Sequence, residues 1–140
     1  MAFSATAFWN GDKSGSGTYS LGSGAAKDVP YTFGGRFEDK GGSTPEELIG
    51  AAYASCFIMY LTAVLGETKH QGIQAEAKVS LGKDDKGPVI TEIRLKVEAK
   101  VAGLDQAKFD ELVNKTKSGC PISRLYAGNV EVKVDATLAA

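Results

Sequence analysis

Residues 48–65 read LIGAAYASCFIMYLTAVL, eighteen positions without a charge. That is the lower edge of membrane-spanning length. Alanines, Gly50, Ser55 and Thr62 dilute the run, and no basic flank follows it. The residues just before it form a helix start. Thr44 can cap, Pro45 suits the first turn, and Glu47 completes a Thr-x-x-Glu capping box. Gly66 fits a stop. The segment therefore predicts a helix from about 45 to 66 that is apolar on nearly every side. In a chain of 140 residues such a helix needs cover from a second subunit rather than from a membrane.

The remaining pattern is that of a sheet protein. Residues 6–9 and 17–21 are short strand candidates on either side of an Asn10-Gly11-Asp12 turn signal. Glycine and serine at 22–24 mark a loop. Tyr31, Phe33, Arg36 and Phe37 suggest a further strand, interrupted at Gly34-Gly35. Three period-2 strands follow later: Ile73, Ala75, Ala77, Val79 and Leu81; Ile93, Leu95, Val97, Ala99 and Val101; Val130, Val132, Val134 and Ala136. Charged residues occupy the alternate positions of the second, so one sheet face is wet and the other covered. A helix from about 105 to 117, with Phe109, Leu112, Val113 and Thr116 as its apolar stripe, precedes a short helical turn after Pro121. There is no repeat and no linker, so residues 1–140 are expected to form one α+β domain with helices on one sheet face.

Charge and composition narrow the function. Sixteen basic and seventeen acidic residues leave a net charge of -1, which offers nothing to nucleic acid or to an anionic membrane. A single histidine makes a four-ligand zinc site a poor expectation. Two cysteines are too few for a secreted disulfide scaffold, and the first residues lack the features of a signal peptide. A reducing, cytoplasmic location is expected.

The cysteines are 64 residues apart, Cys56 inside the apolar helix and Cys120 between Gly119 and Pro121. The plain reading is two buried thiols acting as small hydrophobes. Chemistry requires a thiolate, and apolar surroundings oppose one. Cys56 sits too far along its helix for the dipole to help much, so a cation must come from elsewhere in the fold. There are three arginines. Arg94 belongs to a charged strand face, whereas Arg36 and Arg124 are both candidates, and a guanidinium keeps its charge where a buried lysine can lose it. Among the glutamates, Glu46 lies about 80° around the helix from Cys56, and Glu47 about 180°. Glu46 is the better placed to fix an arginine. A cysteine hydrolase is disfavoured because His70 lies beyond the end of the helix. A dimeric small-ligand-binding protein with inert cysteines stays open.

TPEELIGAAYASCF (44–57), GCPIS (119–123) and PYTFGGRFE (30–38) resemble the OsmC/Ohr family of organic hydroperoxide reductases. The PYxFxxRFE stretch and the N-terminal WNGD are closer to its osmotically inducible OsmC branch. The resemblance implies antiparallel sheets around a long buried central helix and a second helix, in an intertwined homodimer with active sites at the subunit interface. It implies a thiol-dependent peroxidase that reduces organic hydroperoxides, and hydrogen peroxide more weakly, under oxidative or osmotic stress. Carried over by motif position, Cys56 would be the peroxidatic cysteine and Cys120 the resolving one. Arg36 would be the arginine and Glu46 its carboxylate partner. No cofactor or metal is needed, and a small dithiol or lipoyl-type donor would reduce the enzyme. Phe33, Phe37, Tyr53, Phe57 and Met59 are expected to line an apolar substrate pocket. Tyr53 and Ser55 depart from the histidine and alanine common at these positions in the branch, which bears on pocket polarity.

Overall fold

A computed structural model describes residues 1–38 and 41–139. They fall into two compact units, Met1–Leu48 and Ile49–Ala140.

In the first unit, β1 (Ala5–Asn10) and β2 (Ser16–Leu21) form an antiparallel hairpin, and β3 (Val29–Tyr31) adds to β2. The hairpin turn is set by Gly11, whose φ of +94° suits glycine, and by Asp12, whose Oδ1 accepts from the backbone N–H of Ser14 at 2.9 Å. The Trp9 and Tyr31 rings pack over Gly17, tilted by 45° with centroids 5.5 Å apart, in space that a Cβ at position 17 would need.

The strand expected around Phe33–Phe37 is instead a short helix, α1 (Phe33–Phe37). Thr32 caps it, its Oγ1 accepting from the N–H of Gly35 at 2.9 Å. Phe33, Arg36 and Phe37 thereby fall on one helical face, and the phenyl rings pack at 4.8 Å. Gly35 serves close approach: a Cβ there would come within 2.7 Å of the Gly41 carbonyl oxygen.

Helix α2 (Pro45–Leu65) starts as its capping box predicts. The N–H of Thr44 donates to Glu47 Oε2 at 2.7 Å, and the N–H of Glu47 to Thr44 Oγ1 at 3.1 Å. It ends at Gly66, with φ at +62°.

In the second unit, β4 (Ile73–Asp84) and β5 (Gly87–Ala99) form a long antiparallel hairpin. Only Asp85 and Lys86 lie outside them, with Gly87 at φ +115°. Helices α3 (Gln106–Gly119) and α4 (Pro121–Tyr126) follow, and β6 (Glu131–Leu138) closes the sheet in the order β4-β5-β6. The β5–β6 pair is parallel, which corrects the expectation of purely antiparallel sheets. Parallel pairing needs a long crossover, and the connection that carries α3 and α4 supplies one.

One face of this sheet is wet, with Arg94 held by Asp135 at 3.0 Å and Lys133 by Glu92 at 2.8 Å. The other face carries Ile93, Leu95, Val97 and Ala99 into a core with Tyr53, Phe57, Leu61 and Leu65 of α2 and Phe109, Leu112 and Val113 of α3. Gly50, Tyr53, Phe57, Leu61 and Leu65 are the buried edge of α2. Leu48, Ala51, Ala52, Ser55, Met59 and Thr62 mark an exposed stripe. Within the chain the helix is thus covered on one side.

Candidate active site

The fold groups four of the expected site residues into two pairs, one in each unit. In the second unit Cys56 lies midway along α2, and Cys120 lies where α3 ends and α4 begins. Cys120 Sγ donates to Cys56 Sγ at 3.0 Å. Both are free thiols, Cys120 fully buried and Cys56 half-buried. The turn that places Cys120 follows from its neighbours. Gly119 lets the end of α3 pass against the Tyr60 ring, where any Cβ would overlap the phenol. Pro121 then starts α4 in a position where its missing N–H costs nothing.

Burial pushes the Cys56 thiol up, and the adjoining Cys120 thiol adds to the rise. The backbone N–H of Ile122 works the other way. A thiol in this setting, left to itself, is mostly protonated at neutral pH.

In the first unit Arg36 and Glu46 form a two-contact ion pair. Arg36 Nη2 lies 3.0 Å from Glu46 Oε1, and Arg36 Nε donates to Glu46 Oε2 at 3.2 Å. Their side chains are 33% and 13% exposed, so the pair is partly withdrawn from water while the guanidinium keeps an open edge. The Arg36 guanidinium also lies 5.8 Å from the Phe37 ring centre. Beside it is a cavity of about 170 Å³ walled by Trp9, Tyr31, Thr32, Phe33 and Pro45 as well as Arg36 itself.

The expected pocket residues divide. Phe33 lines that cavity, and Phe37 and Met59 are exposed, Met59 at 73%. Tyr53 and Phe57 have no exposed surface, and are core rather than pocket wall. Their positions on α2 turn them toward the β5 face of the sheet, where the largest apolar area is to be covered. Ser55 spends its hydroxyl on the Ala51 carbonyl at 2.7 Å, so it adds little polarity outside its own helix.

Sequence reasoning missed three neighbours of the thiol pair. Ser123 donates from Oγ to the Tyr53 phenol oxygen at 2.8 Å, both residues being buried. Tyr126 sets its ring edge-on to Tyr53 at 5.5 Å. The Ile122 amide acts on Cys56 as described above. The matching three-residue spacings, Tyr53 to Cys56 and Cys120 to Ser123, gain meaning only once the two cysteines are known to meet. Arg94 is engaged on the wet sheet face. His70 is half-buried with Nδ1 lacking a hydrogen-bond partner. Among the described residues, no three His, Cys, Asp or Glu side chains converge as a metal site.

Two free thiols in contact inside an α+β fold define a dithiol protein. The chain belongs to the OsmC-like family, whose model, described as OsmC-like protein, matches residues 37–135. It is 46% identical over 127 residues to the peroxiredoxin OsmC of Escherichia coli, covering 89% of each chain. It is 39% identical over 103 residues to the organic hydroperoxide resistance protein OhrB of Bacillus subtilis, covering 70% of this chain and 72% of that one. The crystal structure of the same OhrB matches with a TM-score of 0.71 at 29% identity, covering 96% of this chain and 98% of that chain. The crystal structure of an organic hydroperoxide resistance protein OsmC from Legionella pneumophila matches with a TM-score of 0.75 at 25% identity, covering 99% of each chain.

Proposed function

We propose that the chain is a cysteine-based peroxidase that reduces organic hydroperoxides in stress defence, with residues 1–140 working as one OsmC-like domain. The observation that carries this reading is the 3.0 Å contact between Cys56 and Cys120 in a member of this family. The Cys56 thiolate attacks the terminal hydroxyl oxygen of ROOH, the O–O bond breaks, and Cys56–SOH and RO⁻ form, the latter taking a proton to leave as the alcohol. The Cys120 thiolate then attacks the sulfenic sulfur; the S–S bond forms and the hydroxyl leaves as water once protonated. A small dithiol or lipoyl-type donor returns both thiols by two exchanges and is itself oxidised to its disulfide.

Arg36 is the activating cation in this reading. It offsets the burial that opposes a Cys56 thiolate, and it stabilises the charge developing on the leaving oxygen. Glu46 positions it through the two-contact pair, which a carboxylate makes with a guanidinium and cannot make with an ammonium. The apolar wall beside Arg36 suits the organic part of the substrate.

The working form is a homodimer with its active sites at the subunit interface. Two observations support this. Among the described residues of the first unit Gly17 alone is buried, while Phe3 and Phe8 are 90% and 66% exposed. The exposed stripe of α2 presents Met59 and Leu48 in the same way. The protein is soluble, and we place it in the cytoplasm, where thiols are kept reduced.

Turnover with cumene hydroperoxide and dihydrolipoamide tests the reading. The expected result is catalytic loss of peroxide that needs both Cys56 and Cys120. Binding of the hydroperoxide without its consumption would instead favour a small-ligand-binding protein with inert thiols.

A further inference from the structure

The Tyr53–Ser123 hydrogen bond is a second rung between the two elements that carry the thiols. Cys56 lies one turn beyond Tyr53 on α2, and Ser123 lies three residues beyond Cys120, which heads α4. Cys56 meets Cys120 at 3.0 Å and Tyr53 meets Ser123 at 2.8 Å. Tyr53 is fully buried and Ser123 is 5% exposed, inside a core that is otherwise almost wholly apolar. Tyr126, on the next turn of α4, holds the same ring edge-on. Breaking one partner of such a pair strands the other without water to replace it, so the bond fixes a single register of α4 against α2.

We propose that Tyr53 and Ser123 are positioning residues for the resolving step, holding Cys120 in reach of the oxidised Cys56 so that the disulfide forms before a second peroxide attacks. This rests on the peroxidase reading for its biological meaning. The step concerned is Cys56–SOH + Cys120–SH → Cys56–S–S–Cys120 + H₂O, in competition with Cys56–SOH + ROOH → Cys56–SO₂H + ROH. The pair touches neither the peroxide nor Arg36 in this scheme. Its loss therefore leaves the first oxidation alone and shifts the partition toward sulfinic acid.

The test uses full-length Tyr53→Phe, Ser123→Ala, the double variant and Ser123→Thr. Loss of the first thiol to cumene hydroperoxide is followed by stopped flow, and the fate of Cys56 by mass spectrometry over a peroxide titration. The expected result is a first step within about twofold of wild type, and half-sulfinylation at a peroxide dose about tenfold lower, the factor that one hydrogen bond of ordinary net strength supplies. The double variant should regain thermal stability, because no stranded polar group remains, yet keep the shifted partition. Ser123→Thr should restore the dose. Leu112→Ala, a core truncation without this bond, is the control for loss of stability alone.

An unchanged dose in Tyr53→Phe and Ser123→Ala, or a dose that follows melting temperature across all variants including Leu112→Ala, would overturn the proposal. Diamide, which bridges two thiols without peroxide, separates this from the peroxidase reading. Slower bridging in Tyr53→Phe and Ser123→Ala, with wild-type thiols inert to hydroperoxide, would sustain the positioning role and remove the peroxidase. Bridging at the wild-type rate in both would remove the positioning role.

Discussion

Arg36 and Glu46 are locked in a side-on pair, Nη2 to Oε1 at 3.0 Å and Nε to Oε2 at 3.2 Å, which leaves Nη1 outside the pair. A carboxylate that occupies one edge of a guanidinium aims the other edge. This geometry belongs to arginine and makes the pair sensitive to substitutions that keep its charge.

Arg36→Lys should slow the first oxidation of Cys56 by about 10–100-fold, since a point charge reproduces neither contact nor direction. Glu46→Gln keeps one acceptor oxygen and should cost less. Single-turnover thiol oxidation by cumene hydroperoxide checks both. A wild-type rate in Arg36→Lys would remove Arg36 as the activator.

The pH dependence has a definite sign. Burial raises the Cys56 thiol, so without a compensating cation the reactive thiolate is the minority form at pH 7 and grows as pH rises. In Arg36→Ala the oxidation rate should climb close to tenfold per unit over roughly pH 6–8, below the usual cysteine range and its upward shift. The wild-type profile should be flatter and level off at lower pH. Identical profiles would contradict an arginine-held thiolate.

Cys120→Ser should consume one equivalent of hydroperoxide and then stall, with Cys56 left as sulfenic or more highly oxidised acid. Mass spectrometry distinguishes this from continued turnover, which would show that Cys120 is not the resolving thiol.

Gly119→Ala places a methyl group into the Tyr60 phenol. Overpacking of this kind costs about 1–3 kcal/mol. Because Gly119 adjoins Cys120, the variant should also slow disulfide formation. Thermal unfolding and bridging by diamide measure the two effects separately.

Met59→Glu introduces a charge into the exposed stripe of α2 and leaves the chain's own core untouched. Burying a methionine contributes about 1.5–3 kcal/mol, and a carboxylate reverses its sign. On the proposed dimer, light scattering should find the wild type dimeric and the variant monomeric. A dimer of unchanged stability would place the subunit interface elsewhere.

The sequence was most legible where local chemistry decides structure. The Thr44–Glu47 capping box, the Gly66 stop and the alternating strands each rest on residues close in the chain, and each forms as read. The helix geometry that favoured Glu46 over Glu47 agrees with which carboxylate Arg36 meets. Helix α1 was hidden because Gly34 and Gly35 lower helix propensity and aromatic residues favour strands, while the Thr32 cap is a weaker signal. The parallel return of β6 depends on a long connection, which periodicity does not report. No spacing rule brings Cys56 to Cys120 across 64 residues, and only the family resemblance joined them. The buried Tyr53–Ser123 bond was lost for the same reason, being a contact between distant elements.

Peptide mapping after a single equivalent of cumene hydroperoxide tests the central claim most directly. The account predicts a disulfide linking the Cys56 and Cys120 peptides, with neither thiol left free. Recovery of both peptides with their thiols intact would contradict it.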